Sequence, residues 1–219
     1  MTLMALVPVR GGSKGLPGKN TRMLAGKPLY RHAVDQALEA GADEVVISTD
    51  IEELLGADHG AGVVALRRPA ELAGDDVPMD PVILHALRDR GEALVVLLQA
   101  TSPLRRAGDV RAALEVWRKG RFDLVMSVAR TSAGILKYGM AEGDRFVPVA
   151  RPEYCFMNRQ SLPAVYRPNG AVYVFDADWF RANGGLATER IGMVEMPEER
   201  SLDIDSAEDF ARVEAILTA

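Results

Sequence analysis

The chain has 219 residues, a mass of 23.7 kDa and a formal net charge of −5 at pH 7. An apolar content of 48% is typical of an ordinary globular protein with one main domain over residues 1–219, and it excludes a disordered chain. The acidic balance argues against nucleic acid as a partner, because a broad nucleic-acid footprint needs a basic surface.

The amino-acid usage predicts a cytoplasmic protein without a membrane partner. Cys155 is the only cysteine, so no intrachain disulfide forms, and this fits a reducing compartment. No apolar stretch approaches the ~20 residues of a membrane span. The short apolar run at the N-terminus has no basic residue before it and is a poor signal peptide.

A strand-length apolar run at 3–9 leads into a loop that is rich in glycine and basic residues. The loop contains Arg10, Gly11, Gly12, Ser13, Lys14, Gly15, Gly18, Lys19 and Asn20. Glycine has no Cβ, so backbone N–H groups and the nearby cations can surround phosphate oxygens. A helix near Pro28 follows, in the order that phosphate sites need. The alternative is a surface loop with solvated charges.

Two familiar phosphate-binding patterns do not fit this loop. The P-loop pattern needs Gly at position 13 and Ser or Thr at position 20, where the chain has Ser13 and Asn20. The dinucleotide pattern G-x-G-x-x-G also fails, because the glycines fall at 12, 15 and 18. The loop therefore indicates a nucleoside triphosphate site of another design.

Strands and helices alternate through the next hundred residues. The pattern predicts a helix at 28–40 ended by Gly41, strands at 44–50 and 62–66, a helix from Pro81 with Asp80 as its N-cap, a strand at 93–98, a helix at 109–119 and a strand at 124–128. Such alternation indicates an α/β fold with a doubly wound, mostly parallel sheet.

Polar residues follow several of these strands directly. They are Arg10, Asp50, Arg68, Gln99 and Ser102. Ligands of such sheets bind beyond the carboxyl ends of the strands, so we expect these five residues to lie near one site.

The alternation breaks from about 131 to 168, and we interpret this segment as an arm inserted into the domain. Its apolar side chains include Leu136, Tyr138, Met140, Phe146, Val147, Val149, Tyr154, Phe156 and Met157. Apolar surface outside the main sheet needs a partner, and a two-fold homodimer is the commonest solution. The alternative is an arm that folds back on its own sheet.

The α/β pattern resumes after the arm and ends with two carboxylates. We expect a strand at 171–175, a helix at 178–182, a short strand at 193–196 and a last helix capped by Ser206. Asp203 and Asp205 precede that helix, and residues i and i+2 of an extended segment point to the same side. Two such carboxylates can hold Mg²⁺ together with substrate phosphates. The alternative is a solvated acidic turn.

Six segments together resemble those of the acylneuraminate cytidylyltransferases, also called CMP-sialic acid synthetases. They are the residues 8–20, 48–50, 68–73, 98–105, 167–171 and 201–206, in the same order along nearly the whole chain. The resemblance implies a nucleotidyltransferase-type fold with a dimerisation arm. It also implies the reaction of CTP with a nonulosonic (sialic-acid-like) sugar acid, which gives a CMP-sugar and pyrophosphate.

The resemblance also assigns roles to individual residues. Arg10, Lys19, Asp203 and Asp205 are the expected catalytic residues, and Asp203 and Asp205 are the expected Mg²⁺ ligands. Nucleotide binding is expected of Arg10, Gly12, Ser13, Lys14, Lys19, Asn20 and Arg68. Sugar-acid binding is expected of Gln99, Thr101, Ser102, Lys137, Arg159, Arg167 and Asn169.

Two segments depart from the family pattern and leave the sugar unspecified. Residues 77–80 replace the small hydroxyl residues of many members, and 183–188 lack an aromatic pair that some relatives have. A cytidylyltransferase for the eight-carbon acid 3-deoxy-manno-octulosonate is one alternative, although its first loop differs in composition. A catalytically silent nucleotide-binding module is the other.

Overall fold

The computed structural model describes residues 1–12 and 15–219, so the predicted nucleotide-binding residues Ser13 and Lys14 lie outside the described residues. The strands are β1 (Thr2–Val9), β2 (Met23–Leu24), β3 (Lys27–Pro28), β4 (Glu44–Thr49), β5 (Val63–Arg67), β6 (Ala93–Leu97), β7 (Leu124–Thr131), β8 (Gly139–Glu142), β9 (Arg145–Pro148), β10 (Val165–Asp176) and β11 (Ile191–Glu195). The α-helices are α1 (Leu29–Glu39), α2 (Glu52–Leu55), α3 (Met79–Leu87), α4 (Ala107–Arg118), α5 (Ala177–Asn183) and α6 (Ala207–Thr218). Among the described residues no helix is both long enough and apolar enough to span a membrane.

Seven strands form one sheet in the order β11-β7-β10-β6-β1-β4-β5. The pairs β1–β4, β1–β6, β4–β5 and β7–β11 are parallel, whereas β10 runs antiparallel to both β6 and β7. The predicted α/β fold with a mostly parallel sheet is therefore confirmed. The antiparallel direction of β10 was not predicted, because an apolar run such as 171–175 shows the same pattern whichever way the strand runs.

Both faces of the sheet are buried under helices. Along β1, Ala5 and Val7 pack on the side of α1 and α4, whereas Met4 and Leu6 pack on the side of α3 and α5. This alternation follows from the two-residue period of a strand, and a strand covered on both faces must be apolar throughout. It leaves the strand ends as the place where polar side chains gather.

The helix N-termini agree with the sequence in one case and differ in another. Ser206 caps α6, and its hydroxyl accepts a hydrogen bond from the Asp209 backbone N–H, as predicted. The prediction that Asp80 caps α3 was wrong, because the helix begins at Met79, two residues before the predicted Pro81, with Pro78 in the extended N-cap position. Asp80 instead lies in the first turn, where its negative charge faces the positive end of the helix dipole.

Residues 132–164 leave the sheet between β7 and β10 and contain the β8–β9 hairpin with short 3₁₀ turns. The segment predicted as an arm ended at 168, whereas β10 already begins at Val165. Several apolar side chains remain exposed on this arm, among them Tyr138 (65% exposed), Phe146 (58%) and Phe156 (90%). The sheet of the same chain does not cover them.

Candidate active site

A pocket of about 490 Å³ lies beyond the carboxyl ends of β1, β5 and β6. It is lined by Pro8, Arg10, Gly15, Lys19, Asn20, Arg68, Asp75, Met79, Gln99, Ala100, Thr101 and Asp205. Residues far apart in the sequence meet here because parallel strands place their carboxyl ends at one edge of the sheet. The predicted nucleotide residues Arg10, Lys19, Asn20 and Arg68 are among them, whereas Gly12 does not line the pocket.

Two hydrogen bonds fix the described part of the first loop above β1. The Asp50 carboxylate, just past β4, accepts a hydrogen bond from the Gly11 backbone N–H at 2.8 Å. The buried Asn20 side chain donates from Nδ2 to the Arg10 carbonyl at 2.9 Å. Asp50 therefore holds the loop through its backbone and does not line the pocket itself. The sequence had predicted only that Asp50 lies at the end of a strand.

The first loop also packs directly on the segment that carries the two carboxylates. A Cβ on Gly15 would lie 2.2 Å from the Asp205 carbonyl oxygen, so only glycine fits this close approach. The Lys19 ammonium donates to the Ile204 carbonyl and lies 3.1 Å from the Asp205 carboxylate. With a side chain only 12% exposed, Lys19 carries a charge that solvent screens weakly.

Arg10 forms an ion pair that the sequence did not predict. Its Nη1 lies 2.5 Å from a carboxylate oxygen of Asp75, in the turn before α3. No periodicity or spacing links the two residues, and only the sheet order brings them together. The pocket thus contains an acidic group beside its basic side chains.

Arg68 lies against the wall of the pocket with its guanidinium fixed. It is only 5% exposed, and it donates from Nε to the Ser48 hydroxyl at 3.1 Å and from Nη2 to the Ser48 carbonyl at 2.7 Å. Burial lowers the pKa of Arg68 to about 10, an effect that the Asp50 charge partly opposes. The group is still a cation at neutral pH, so Arg68 adds positive charge at a fixed position.

The side chains of Asp203 and Asp205 are both exposed, and of the two only Asp205 lines the pocket. Ile204 between them is fully buried, and its backbone N–H donates to the Thr101 carbonyl at 2.9 Å. Protein atoms around the Asp203 carboxyl raise its pKa, although part of the residue is exposed. A hydrogen bond from the Thr101 hydroxyl opposes this rise, and the nearby Asp205 charge adds to it.

The chemistry of this pair fits a divalent cation. Hard carboxylate oxygens are the ligands that Mg²⁺ prefers, and Mg²⁺ sites commonly use one or two carboxylates with phosphates and water. The mutual repulsion of the two carboxylates would be offset by a cation between them. No cluster of three or more His, Cys, Asp or Glu ligands occurs among residues 1–12 and 15–219.

The residues predicted to bind the sugar acid are only partly brought together. Gln99 and Thr101 line the pocket, and Ser102 is buried beside them. Lys137 and Arg159 lie on the arm, and Arg167 is exposed on β10; none of the three lines this pocket within one chain. Arg159 instead donates to the Ser132 hydroxyl at 2.7 Å.

Asn169 is buried in a hydrogen-bond network beside the pocket. Its Oδ1 accepts from the Ser127 hydroxyl at 2.6 Å, and its Nδ2 donates to the Ser201 hydroxyl at 2.9 Å. These bonds tie β10 to the start of the segment that carries the carboxylates. In this structure Asn169 thus supports Asp203 and Asp205 and does not line the pocket.

Comparison with known proteins gives consistent matches. Residues 4–182 match the family model described as cytidylyltransferase. An N-acylneuraminate cytidylyltransferase of Streptococcus agalactiae serotype III (strain NEM316) is 31% identical over 97% of this chain. A CMP-N,N'-diacetyllegionaminic acid synthase of Legionella pneumophila (strain Philadelphia 1) is 32% identical over 99% of the chain and 97% of its own length.

The relatives differ in length, and a solved structure shares the fold. This chain spans 52%, about half, of the length of the S. agalactiae relative. The structure of a CMP:2-keto-3-deoxy-manno-octonic acid synthetase complexed with CTP matches with a TM-score of 0.77. That match covers 100% of this chain and 99% of the other at 19% identity, which shows the α/β nucleotidyltransferase-type fold and nothing further.

Proposed function

The chain belongs to the cytidylyltransferase family, as its resemblance to the acylneuraminate cytidylyltransferases predicted, and we propose that it transfers CMP from CTP to a nonulosonic sugar acid. The anomeric hydroxyl of the sugar acid loses its proton to solvent as its oxygen bonds to the α-phosphorus of CTP. The bond from that phosphorus to the oxygen bridging to the β-phosphate breaks, and pyrophosphate leaves. The product is a CMP-activated sugar, a donor for surface glycan biosynthesis.

One observation carries this proposal: the glycine-rich basic loop and the segment with the two carboxylates meet at a single pocket, which Asp205 lines. Gly15 touches the Asp205 backbone, and Lys19 bonds to the same segment. A nucleoside triphosphate needs both parts, since the loop binds phosphate oxygens and carboxylates hold a cation beside them. A sugar-binding module without phosphate chemistry would need neither.

The side chains of the pocket contribute mainly position and charge to this reaction. Lys19, Arg10 and Arg68 bind phosphate oxygens and offset the negative charge that moves onto pyrophosphate. Asp203 and Asp205 would hold Mg²⁺, which when bound adds to this charge stabilisation. Because the loop binds phosphates through charge and backbone, the choice of base depends on groups around Arg68 and the edge of the loop.

The arm supplies a second part of the proposal, in which two copies of the chain form a homodimer. Exposed Tyr138, Phe146 and Phe156 need a cover that their own sheet does not give. Lys137 and Arg159, which lie on the same arm, then reach the sugar carboxylate in the pocket of the partner. An arginine or lysine suits this role because it pairs with a carboxylate.

Mixing two inactive variants tests the shared site. We expect an Asp203→Asn subunit and an Arg159→Ala subunit to recover activity in the mixed dimer, because one of its two pockets then keeps both residues. Mixed dimers that form without recovering activity would place Arg159 in the pocket of its own chain. A fully active monomer would refute the homodimer.

Pyrophosphate release with CTP and Mg²⁺ against a panel of sugar acids tests the activity itself. We expect turnover with a nonulosonic acid and little with 3-deoxy-manno-octulosonate. The opposite preference would favour the eight-carbon alternative, and CTP binding without turnover would favour a silent module. We expect CTP to be preferred over UTP, ATP and GTP, and equal rates with UTP would contradict a cytidylyltransferase.

Two further assays concern the cation and the compartment. Removal of Mg²⁺ by chelation should abolish turnover, and re-addition should restore it. We place the reaction in the cytoplasm because the one cysteine of the sequence, Cys155, is free, which suits a reducing compartment. Fractionation of cells that make the tagged protein tests this location.

A further inference from the structure

Arg105 is a buried arginine outside the pocket that the reaction described above does not use. It lies at the end of the loop 98–106 between β6 and α4, the loop that carries Gln99 and Thr101 into the pocket. Arg105 is 1% exposed, and its Nη1 donates to the Gln99 carbonyl at 3.2 Å and to the Ala171 carbonyl at 2.6 Å. The guanidinium thus joins the pocket loop to β10.

Packing alone does not account for an arginine at this place. Its hydrogen-bond partners are backbone carbonyls, and Nε and Nη2 have no partner among the described residues. Burial lowers the pKa of Arg105 to about 9, opposed by the charge of Asp109. An unbranched apolar side chain would fill similar space without the desolvation cost of a buried charge.

The two carbonyls that Arg105 binds lie at an irregular part of the sheet. The pairing of β10 with β7 shifts between Pro168 and Tyr173, and Gly170 has a φ of +75°. Ladder hydrogen bonds are lost at such a bulge, so the Ala171 carbonyl needs another donor. Arg105 supplies that donor and holds the bulge against the end of β6.

Residues on both sides of this junction are those expected to bind the sugar acid. Gln99 lies on one side and lines the pocket, whereas Arg167 and Asn169 lead into the bulge on the other side without lining the pocket. Gln36 on α1 holds the same loop by donating to the Pro103 and Arg105 carbonyls. The loop is therefore fixed from two directions, and Arg105 connects it to β10 through a charged group.

We propose that Arg105 is a positioning residue for the acceptor side of the pocket: by bonding the Gln99 backbone to the β10 bulge, it fixes Gln99 in the pocket wall where the sugar acid is proposed to bind. This inference rests on the proposed function, because the acceptor is the sugar acid named there. Arg105 does not touch substrate. It acts through Gln99, whose backbone it ties to Ala171.

The test compares Arg105→Met and Arg105→Lys with wild type in steady-state pyrophosphate release. We expect Arg105→Met to raise the KM for the sugar acid about 10- to 100-fold, since misplacing a binding group by about 1 Å has effects of this size. The KM for CTP should stay within about twofold of wild type, because the bonds that Arg105 makes go to the Gln99 and Ala171 carbonyls and not to Arg10, Lys19 or Arg68. Arg105→Lys keeps the charge with fewer donors and should raise the sugar-acid KM by an intermediate factor.

Arg106→Met is the matched control, because this exposed neighbour has the same chemistry and no bond to Gln99 or Ala171. It should leave both KM values unchanged. A lower melting temperature with unchanged KM values would show that Arg105 has only a structural role and would overturn the proposal. An equal rise in KM for CTP and for the sugar acid would overturn it too. If Arg105→Met does not fold, a wild-type sugar-acid KM in Arg105→Lys overturns it instead.

The wild-type protein separates this inference from the proposed function. Absence of turnover with every sugar acid in the wild type would refute the activity before any variant is compared. Turnover in the wild type with no selective KM change in the variants would refute the role of Arg105 alone.

Discussion

The contact between Gly15 and Asp205 predicts a large effect of one methyl group. In Gly15→Ala the new Cβ would lie 2.2 Å from the Asp205 carbonyl oxygen, whereas ordinary contacts begin near 3.4 Å. The loop and the carboxylate segment must therefore separate by about 1.2 Å. The segment cannot yield easily, because the Ile204 N–H is bonded to Thr101 and Ile204 is buried in the core.

The separation acts on groups that the proposed reaction uses. It pulls Lys19 away from the Ile204 carbonyl and the Asp205 carboxylate, to which it is bonded. A displacement of about 1 Å costs up to about 10²-fold in rate, which corresponds to roughly 2.7 kcal/mol of transition-state stabilisation. Overpacking of this kind also costs about 1–3 kcal/mol of folding free energy.

Steady-state pyrophosphate release and a thermal melt measure the two effects separately. We expect kcat/KM to fall by about two orders of magnitude in Gly15→Ala, with a folded protein of lower melting temperature. Gly91→Ala is the control, since a Cβ there meets nothing within 4 Å and its backbone needs no positive φ. Wild-type kcat/KM in Gly15→Ala, or an equal loss in Gly91→Ala, would refute the reasoning.

Three further predictions concern the cation, the pH dependence of stability and the arm. Asp203→Asn or Asp205→Asn should lower kcat/KM by a factor that corresponds to several kcal/mol of lost transition-state stabilisation, and should leave the fold intact. Near-wild-type turnover of both variants at sub-saturating Mg²⁺ would exclude these residues as ligands. Burial lowers the pKa of His32 below its ordinary 6.5 in the folded chain. As the pH falls, the unfolded chain therefore binds the proton at a higher pH than the folded chain does, and stability is lost below about pH 6.5. Melting temperatures of His32→Gln between about pH 7.5 and 5.5 should therefore change less than those of wild type, and an equal slope would contradict this. Phe156 is 90% exposed in the single chain and is proposed to be buried between the two copies, so Phe156→Asp would place a charge in that interface and should give a monomer in light scattering. An unchanged dimer would show that Phe156 is not part of the interface.

The sequence predicted the parts of the site that depend on local patterns. The apolar run at 3–9 followed by glycines indicated a strand and a phosphate loop, and the structure has β1 and a pocket lined by Arg10 and Lys19. The i, i+2 spacing of Asp203 and Asp205 predicted that both point to one side, and the burial of Ile204 agrees with this. Both predictions need only the geometry of a few consecutive residues.

Other features of the fold and the site could not be predicted from any local pattern. The Asp80 cap was wrong because the chain before α3 is extended at Pro78, and an aspartate in the first turn has the same sequence signature as a cap. Neither the Arg10–Asp75 ion pair nor the link from Arg105 to Ala171 follows from spacing. The antiparallel direction of β10 could not be inferred either, because β10 is apolar where it crosses the sheet.

The sequence by itself determined the α/β class, the glycine-rich basic loop after β1 and the i, i+2 carboxylates, since hydrophobic period, glycine content and residue spacing act over neighbouring residues. The tertiary structure decided which of these parts meet. The bond from Lys19 to the Ile204 carbonyl joins residues 185 positions apart. Such a contact depends on the order and direction of all seven strands, which the packing of both sheet faces fixes only when the whole chain folds.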